Sequence, residues 1–150
     1  MRRLFLFIIL FLAFPLFAQE RPLSEGLNTE EQLSLVGITI SDLIEGFGPP
    51  AAVAVARGSE IWQDDVVFQY HGLSFYIHRD RVWQVGFSSA YGVSIGAPKT
   101  SVLAVLGNTV QDNGNHLLMP ISGRDWPLML RVNFLATGRV NTIYIYRSDF

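Results

Sequence analysis

Two stretches of the chain decide the predicted fold because they follow the same pattern. The first is GITISDLIEGFGPP at Gly37–Pro50, and the second is GAPKTSVLAVLGNT at Gly96–Thr109. A shift of 59 residues, from position 37 to position 96, aligns their hydroxyl residues, apolar residues and closing glycines. The matched positions include Ser41 with Thr100, Ile44 with Leu103, and Gly48 with Gly107. A hydroxyl residue at the N-cap and a glycine at the end predict one short helix in each stretch.

Alternating strands follow each predicted helix. We expect strands at 73–78 and 82–87 around a turn at Arg79-Asp80, and at 129–134 and 140–146 around a turn at Thr137-Gly138. An Arg-Val pair begins both return strands, at Arg81 and Arg139. Three further strands are predicted at 51–56, 66–71 and 116–121, and a capped helix from Asn28 to about Val36.

The order of these elements predicts the fold class. Neighbouring strands are too close in sequence for crossover helices, which favours antiparallel pairing. We therefore expect an α+β fold of two tandem helix-plus-antiparallel-sheet repeats, at about 28–90 and 91–150, with the helices on one face of the sheet.

A family resemblance rests on the same residues. Gly37–Pro50 reads Gly-x-Thr-x-x-x-Leu-x-x-x-x-Gly-x-Pro, Gly96–Thr109 is a weaker copy, and each is followed by strands with an Arg-Val return. This unit resembles the one shared by the β-lactamase inhibitory protein fold and the small outer-membrane assembly lipoproteins of the SmpA/OmlA type. The resemblance covers about 33–146, although the lipoprotein cysteine is missing and Asn108-Thr109 replaces Gly-x-Pro. The resemblance implies the tandem fold. It also suggests inhibition of a β-lactamase, as a special case of a binding function.

The N-terminus predicts export. Arg2 and Arg3 precede an apolar run, Leu4–Ala18, and polar residues return at Gln19. This is the order of a cleavable signal peptide, and 15 residues fall short of the roughly 20 that span a membrane. We therefore predict a signal peptide at 1–18 and a single periplasmic or secreted domain at 19–150. Retention of the first segment as a membrane anchor is the alternative.

Composition restricts the partners. After removal of Arg2 and Arg3, nine basic residues remain against 13 acidic ones, a net charge of −4 (9 − 13). Such a surface argues against nucleic acid, which binds through lysine and arginine. The chain has no cysteine and no Asn-x-Ser/Thr site, which favours a bacterial cell envelope over a eukaryotic secretory route.

Candidate chemistry is sparse. Gly92–Gly96 reads G-x-S-x-G between a predicted strand and a predicted helix, which is the context of a nucleophile elbow, so a small periplasmic serine hydrolase using Ser94 is the alternative function. His71, His78 and His116 match no zinc spacing. We predict no catalytic residue, no metal and no cofactor.

The sheet face opposite the helices is the candidate binding surface. Period-two alternation turns Leu73, Phe75 and Ile77 inward and their neighbours outward. The candidate partner-binding residues are Tyr76, His78, Met129, Arg131, Asn133, Tyr144 and Tyr146. Tyrosine and arginine are enriched in protein–protein hot spots, although outward tyrosines also serve cross-strand packing. The predicted function is therefore a non-enzymatic binding module for a protein or envelope component.

Overall fold

The computed structural model describes residues 23–58, 64–122 and 125–149. Within these ranges the helices are Thr29–Ser34 (α1), Ile40–Phe47 (α2) and Lys99–Leu106 (α3). The strands are Ala52–Ala56 (β1), Asp65–Tyr70 (β2), Leu73–His78 (β3), Arg81–Phe87 (β4), Ser89–Ala90 (β5), Val93–Ser94 (β6), Gln111–Asp112 (β7), His116–Ile121 (β8), Leu128–Phe134 (β9) and Val140–Arg147 (β10). Short 3-10 turns lie at Leu23–Gly26 and Gly107–Thr109. The predicted signal peptide lies outside the described residues.

Eight strands form one antiparallel sheet in the order β1-β2-β3-β4-β10-β9-β8-β7. Successive strands pair within β1–β4 and within β7–β10. The two groups meet where β4 pairs with β10, with Phe87 opposite Ile143 and Val85 opposite Ile145. Strands β5 and β6 form a separate hairpin. The sheet is therefore continuous from β1 to β7.

The predicted fold class is wrong in its main feature. We expected two helix-plus-sheet repeats with helices covering one face, and the structure is dominated instead by a single eight-stranded sheet. Eight strands at their usual spacing extend about 34 Å, whereas an eight-residue helix is only about 12 Å long. The described helices are therefore too short to form a layer of their own. The pairing of β4 with β10 joins β1–β4 and β7–β10 into one sheet. No local sequence pattern indicates this pairing.

The aligned sequence stretches nonetheless make equivalent local contacts. The Arg81 Nη1 donates to the carbonyl oxygen of Gly37 at 2.8 Å, and the Arg139 Nη1 donates to that of Gly96 at 2.8 Å. The N–H groups of the same two glycines donate to the carbonyl oxygens of Val82 and Val140, at 2.7 and 2.8 Å. Each Arg-Val return strand therefore anchors the chain that leads into α2 or α3.

The helix boundaries correct the predicted caps. Helix α2 is capped by Thr39 rather than Ser41: the Thr39 hydroxyl accepts from the Asp42 N–H at 3.1 Å, and the Asp42 carboxylate accepts from the Thr39 N–H at 3.2 Å. Helix α3 begins after Pro98 rather than Thr100, without a side-chain cap. The predicted stops are confirmed at Gly48 and Gly107, whose φ angles are 75° and 70°.

One hydrophobic cluster joins the helices to the sheet. Leu33 of α1, Leu43 of α2 and Val102 of α3 are buried in the same cluster as Phe75 and Ile145 of the strands. We call the side of the sheet that carries Phe75 and Ile145 the inner face, and the opposite side the outer face. None of the described helices has the length and apolar character of a membrane-spanning segment.

Gly37 gives the first testable prediction, because its φ is +99° and a Cβ there would lie 2.6 Å from Cζ2 of Trp126. Gly37→Ala should lower the free energy of unfolding through both backbone strain and the clash with the indole ring. The strain costs about 1–2 kcal/mol, and overpacking adds about 1–3 kcal/mol. Urea denaturation followed by circular dichroism measures the loss.

Gly96→Ala is the matched control. Gly96 has a φ of +83°, and nothing lies within 4 Å of an added Cβ. This variant should therefore show the backbone strain alone. Equal losses of unfolding free energy in the two variants would contradict the contact with Trp126.

Candidate binding face of the sheet

Burial along the central strands follows the predicted alternation. In β3, Leu73, Phe75 and Ile77 are buried, while Ser74, Tyr76 and His78 are half-buried. Strands β9 and β10 alternate in the same way over 128–132 and 143–146. All seven candidate residues are half-buried and lie on the outer face: Tyr76, His78, Met129, Arg131, Asn133, Tyr144 and Tyr146.

Two of the tyrosines contact each other across β4. The rings of Tyr76 and Tyr144 are 5.8 Å apart between centroids and meet edge to face at 85°. This contact is possible because the intervening outward residue in the register is Gly86, which lies opposite both Ser74 and Tyr144. A side chain at Gly86 would otherwise occupy the space beside the Tyr144 ring.

Gly86 is the residue that sequence reasoning missed. A Cβ added there would lie 3.3 Å from Cε1 of Tyr144 and 3.5 Å from Cβ of Ser74. Its φ is not in the left-handed region, so the glycine is not required by the backbone. A glycine inside a strand is itself a signal of close approach by another group, and this signal was present at position 86.

A hollow of about 340 Å³ opens above Gly86. Its lining includes Ser74, Tyr76, Gly86, Ser88, Ile95 and Tyr144. The lining residues carry no charged side chain, and they combine aromatic and aliphatic surface with hydroxyl groups. Such a hollow can hold a small apolar or aromatic group and hydrogen-bond its polar edge.

A row of polar side chains borders the hollow, because Thr142 at its end is part of the lining. The Arg131 Nε donates to Oδ1 of Asn133 at 2.8 Å, and Nδ2 of Asn133 donates to the Thr142 hydroxyl at 2.7 Å. Arg131 lies opposite Tyr144 in the pairing of β9 with β10. The row therefore fixes a guanidinium next to the tyrosine pair, at a position where it can meet an acceptor on a partner.

His78 belongs to a different group of residues. Its Nδ1 lies 3.8 Å from Oδ1 of Asp65, and the Trp83 indole N–H donates to Oδ2 of the same carboxylate at 3.1 Å. Burial raises the pKa of Asp65, and the hydrogen bond from Trp83 partly opposes that shift. His78 lies two residues beyond Tyr76 on the same face of β3, and its partner Asp65 also contributes to the raised pKa of Tyr76.

Ser94 is not in the geometry of a nucleophile elbow. It lies in the two-residue strand β6, which pairs with β5, and helix α3 begins only at Lys99. The Ser94 hydroxyl donates to the Ser89 hydroxyl at 3.2 Å, whereas His116 contacts the side chains of two neighbouring asparagines. Ser94 ends β6 and four residues separate it from α3, whereas a nucleophile elbow places its serine at the sharp strand-to-helix turn itself. Among the described residues, no cluster of three or more potential metal ligands occurs.

Comparisons with known proteins give little further information. No protein-family model matches the chain, and no curated protein matches it. It is similar to a solved extracellular protein containing a SCP domain from Bacillus anthracis str. Ames, with a TM-score of 0.49 and 12% identity. The match covers 78% of this chain and 45% of that one, so the chain spans less than half of that protein. The resemblance to β-lactamase inhibitory proteins and the SmpA/OmlA type stays a prediction.

The tyrosine pair gives a prediction for alkaline pH. Burial raises the pKa of Tyr76 above its ordinary value of 10.0, and the hydrogen bond with Tyr144 raises it further by a smaller amount. The folded protein therefore keeps this proton where the unfolded chain has lost it. The resulting stabilisation is complete below about pH 10 and is lost as the pH rises further. Tyr76→Phe should make the alkaline decline in unfolding free energy shallower, measured by urea denaturation at pH values from 8 to about 11.

Burial also raises the pKa of Tyr70, so part of the alkaline decline should persist in the variant. Because Phe keeps the ring, the edge-to-face contact with Tyr144 remains. An alkaline slope identical to that of the unsubstituted protein would contradict the proposed environment of the Tyr76 hydroxyl.

Proposed function

We propose that the chain is an exported, non-enzymatic binding protein of the bacterial cell envelope. It holds a protein or envelope component on the outer face of its sheet, around the hollow above Gly86. The single observation that supports this proposal is that hollow, whose lining carries no charged side chain and includes Tyr76 and Tyr144, with Arg131 opposite Tyr144 on the neighbouring strand. Tyrosine and arginine around a small cavity are the residues that most often dominate protein–protein binding energy.

The chemistry of the face indicates how a partner would bind. An aromatic or aliphatic side chain of the partner fits the hollow, where it removes apolar surface of Ile95 and the tyrosine rings from water. The hydroxyl groups of Ser74 and Tyr76 satisfy a polar edge of that group. Arg131 then meets a carboxylate or a carbonyl at the rim. No cofactor takes part in this binding.

The location of the protein follows from the N-terminal sequence. The basic residues, the apolar run to Ala18 and the return of polar residues support cleavage and release into the periplasm or the medium. Intact-mass measurement of the exported product tests this part of the proposal independently. Retention of residues 1–18 would show a tethered protein instead.

A four-residue variant tests the binding face. Alanine at Tyr76, Arg131, Tyr144 and Tyr146 together should weaken the partner at least about 100-fold, since each hot-spot side chain contributes about 2 kcal/mol. A partner is first isolated from envelope extract with the immobilised protein, identified by mass spectrometry and purified. Isothermal titration calorimetry then compares its affinity for each variant.

The matched control carries alanine at four exposed positions on other elements: Glu25, Glu45, Thr100 and Ser101. This control should bind as the unsubstituted protein does. Circular dichroism must show that both variants fold. Equal affinity of the outer-face variant and the control would remove the proposal.

Gly86→Leu tests the hollow without deleting any contact residue. The leucine side chain should fill the space beside Tyr144, because the backbone at Gly86 accepts a side chain and its Cβ lies closest to the edge of the Tyr144 ring, at 3.3 Å. We expect at least about a tenfold loss of partner affinity, with the sheet retained by circular dichroism. Unchanged affinity would show that the partner does not enter the hollow.

A further inference from the structure

Strand β1 forms one edge of the eight-stranded sheet, and its sequence is Ala52-Val53-Ala54-Val55-Ala56. One side of β1 pairs with β2, from Ala52 opposite Gln69 to Ala56 opposite Asp65. Within the described residues, no further strand pairs with β1. Alternate residues of an edge strand turn their N–H and C=O groups away from the sheet, where they can accept another strand.

The side chains of this edge are unusually apolar. Val53 is 60% exposed and Val55 is 53% exposed, and Val66 beside them on β2 is 43% exposed. The registers Val53 opposite Phe68 and Val55 opposite Val66 place these valines on the inner face, beyond the part of the core that contacts the helices. Natural edges carry charges, prolines or bulges against unwanted pairing, and these five residues include no charge and no proline.

The opposite edge has such protection. Strand β7 has only two residues, and its Asp112 carboxylate accepts from Lys99 Nζ at 2.7 Å. Pairing with β7 covers only Leu117 and Leu118 of β8, and Pro120 follows in the remaining part. A proline there removes the N–H that an added strand would need. The two edges of the sheet therefore differ, and β1 is the one able to accept a strand.

The sequence of β1 also selects its partner. Ala-Val-Ala-Val-Ala reads the same in both directions, so two antiparallel copies centred on Ala54 are self-complementary. In this register Ala54 faces Ala54 of the second copy, and both valines face valines. Moving the two-fold axis from Ala54 to Val53 or Val55 would leave a single valine pair. The first shift would place Ala51 opposite Val55, and the second would place Arg57 opposite Val53. No like charges oppose each other within the strand, which favours the centred register.

We propose that β1 is a dimerisation edge, at which two copies of this chain pair antiparallel about a two-fold axis through Ala54. The four valines of the two strands form a shared apolar strip on the inner face. The two-fold axis is perpendicular to the sheet, as in any antiparallel pair of identical strands, so both outer faces lie on the same side. In the dimer, the joined eight-stranded sheets end at the two protected β7 edges, so this sheet adds no third copy.

Cysteine scanning tests the register directly, since the chain contains no cysteine of its own. Directly opposed residues in antiparallel strands have Cα atoms about 4.5–5.5 Å apart, within the range of a disulfide. The full chain is expressed, the exported product is purified, and mild oxidation is followed by non-reducing electrophoresis. Ala54→Cys should form a covalent dimer. Neither Ala52→Cys alone nor Ala56→Cys alone should form a covalent dimer. A mixture of the two should do so, because Ala52 of one copy faces Ala56 of the other.

A second measurement follows association without cross-linking. Sedimentation equilibrium of the unsubstituted protein should give a concentration-dependent dimer, and Val53→Lys with Val55→Lys should raise its dissociation constant at least about tenfold. The matched control is Val105→Lys, because Val105 is 54% exposed and belongs to α3 rather than to the β1 edge. This control should dimerise normally.

Two outcomes would overturn the proposal. One is a monomer at all concentrations, with no covalent dimer from Ala54→Cys. The other is a dimer that survives the lysines on β1 or cross-links equally through all three alanine positions. Neither result depends on the envelope partner, because the readouts involve only copies of this chain. The outer-face proposal and the edge proposal can therefore fail separately.

Discussion

The pairing of β4 with β10 joins the two halves of the sheet and sets the shape of both of its faces. It places Val85 opposite Ile145 and Phe87 opposite Ile143, and these four buried side chains lie at the centre of the inner face. The same pairing brings Gly86 beside Tyr144 on the outer face. A buried core on one side and a hollow on the other are thus two consequences of one register, because adjacent residues of a strand point to opposite faces.

This arrangement gives the outer face a fixed shape. Tyr76 is held by β3, Tyr144 by β10, and the glycine between them provides the space into which a partner group can enter. Arg131 is oriented by its hydrogen bond to Asn133. A binding surface carried by hydrogen-bonded strands loses little side-chain entropy on association, which is the physical advantage of placing it on a sheet.

The two edges of the sheet differ, and the difference would allow two copies of the chain to form a larger binding surface. Strand β7 is short and the part of β8 that it leaves uncovered contains Pro120, whereas β1 is apolar and palindromic. Pairing of two copies through β1 would set two outer faces side by side. A partner with two matching sites would then bind with greater avidity, without any new contact on either face.

Local sequence patterns were enough to predict several of the individual elements. Alternation predicted β3 and β8 with their observed bounds, and glycines predicted the ends of α2 and α3. Alternation also predicted which residues of β9 and β10 face outward, because burial on one face imposes a period of two. Three features were not predictable from these patterns: the strands join into one sheet, the described helices form no layer of their own, and a hollow lies above Gly86. These features arise from pairing between β4 and β10, which are distant in sequence, and period-two alternation gives the face of a residue but not its cross-strand neighbour.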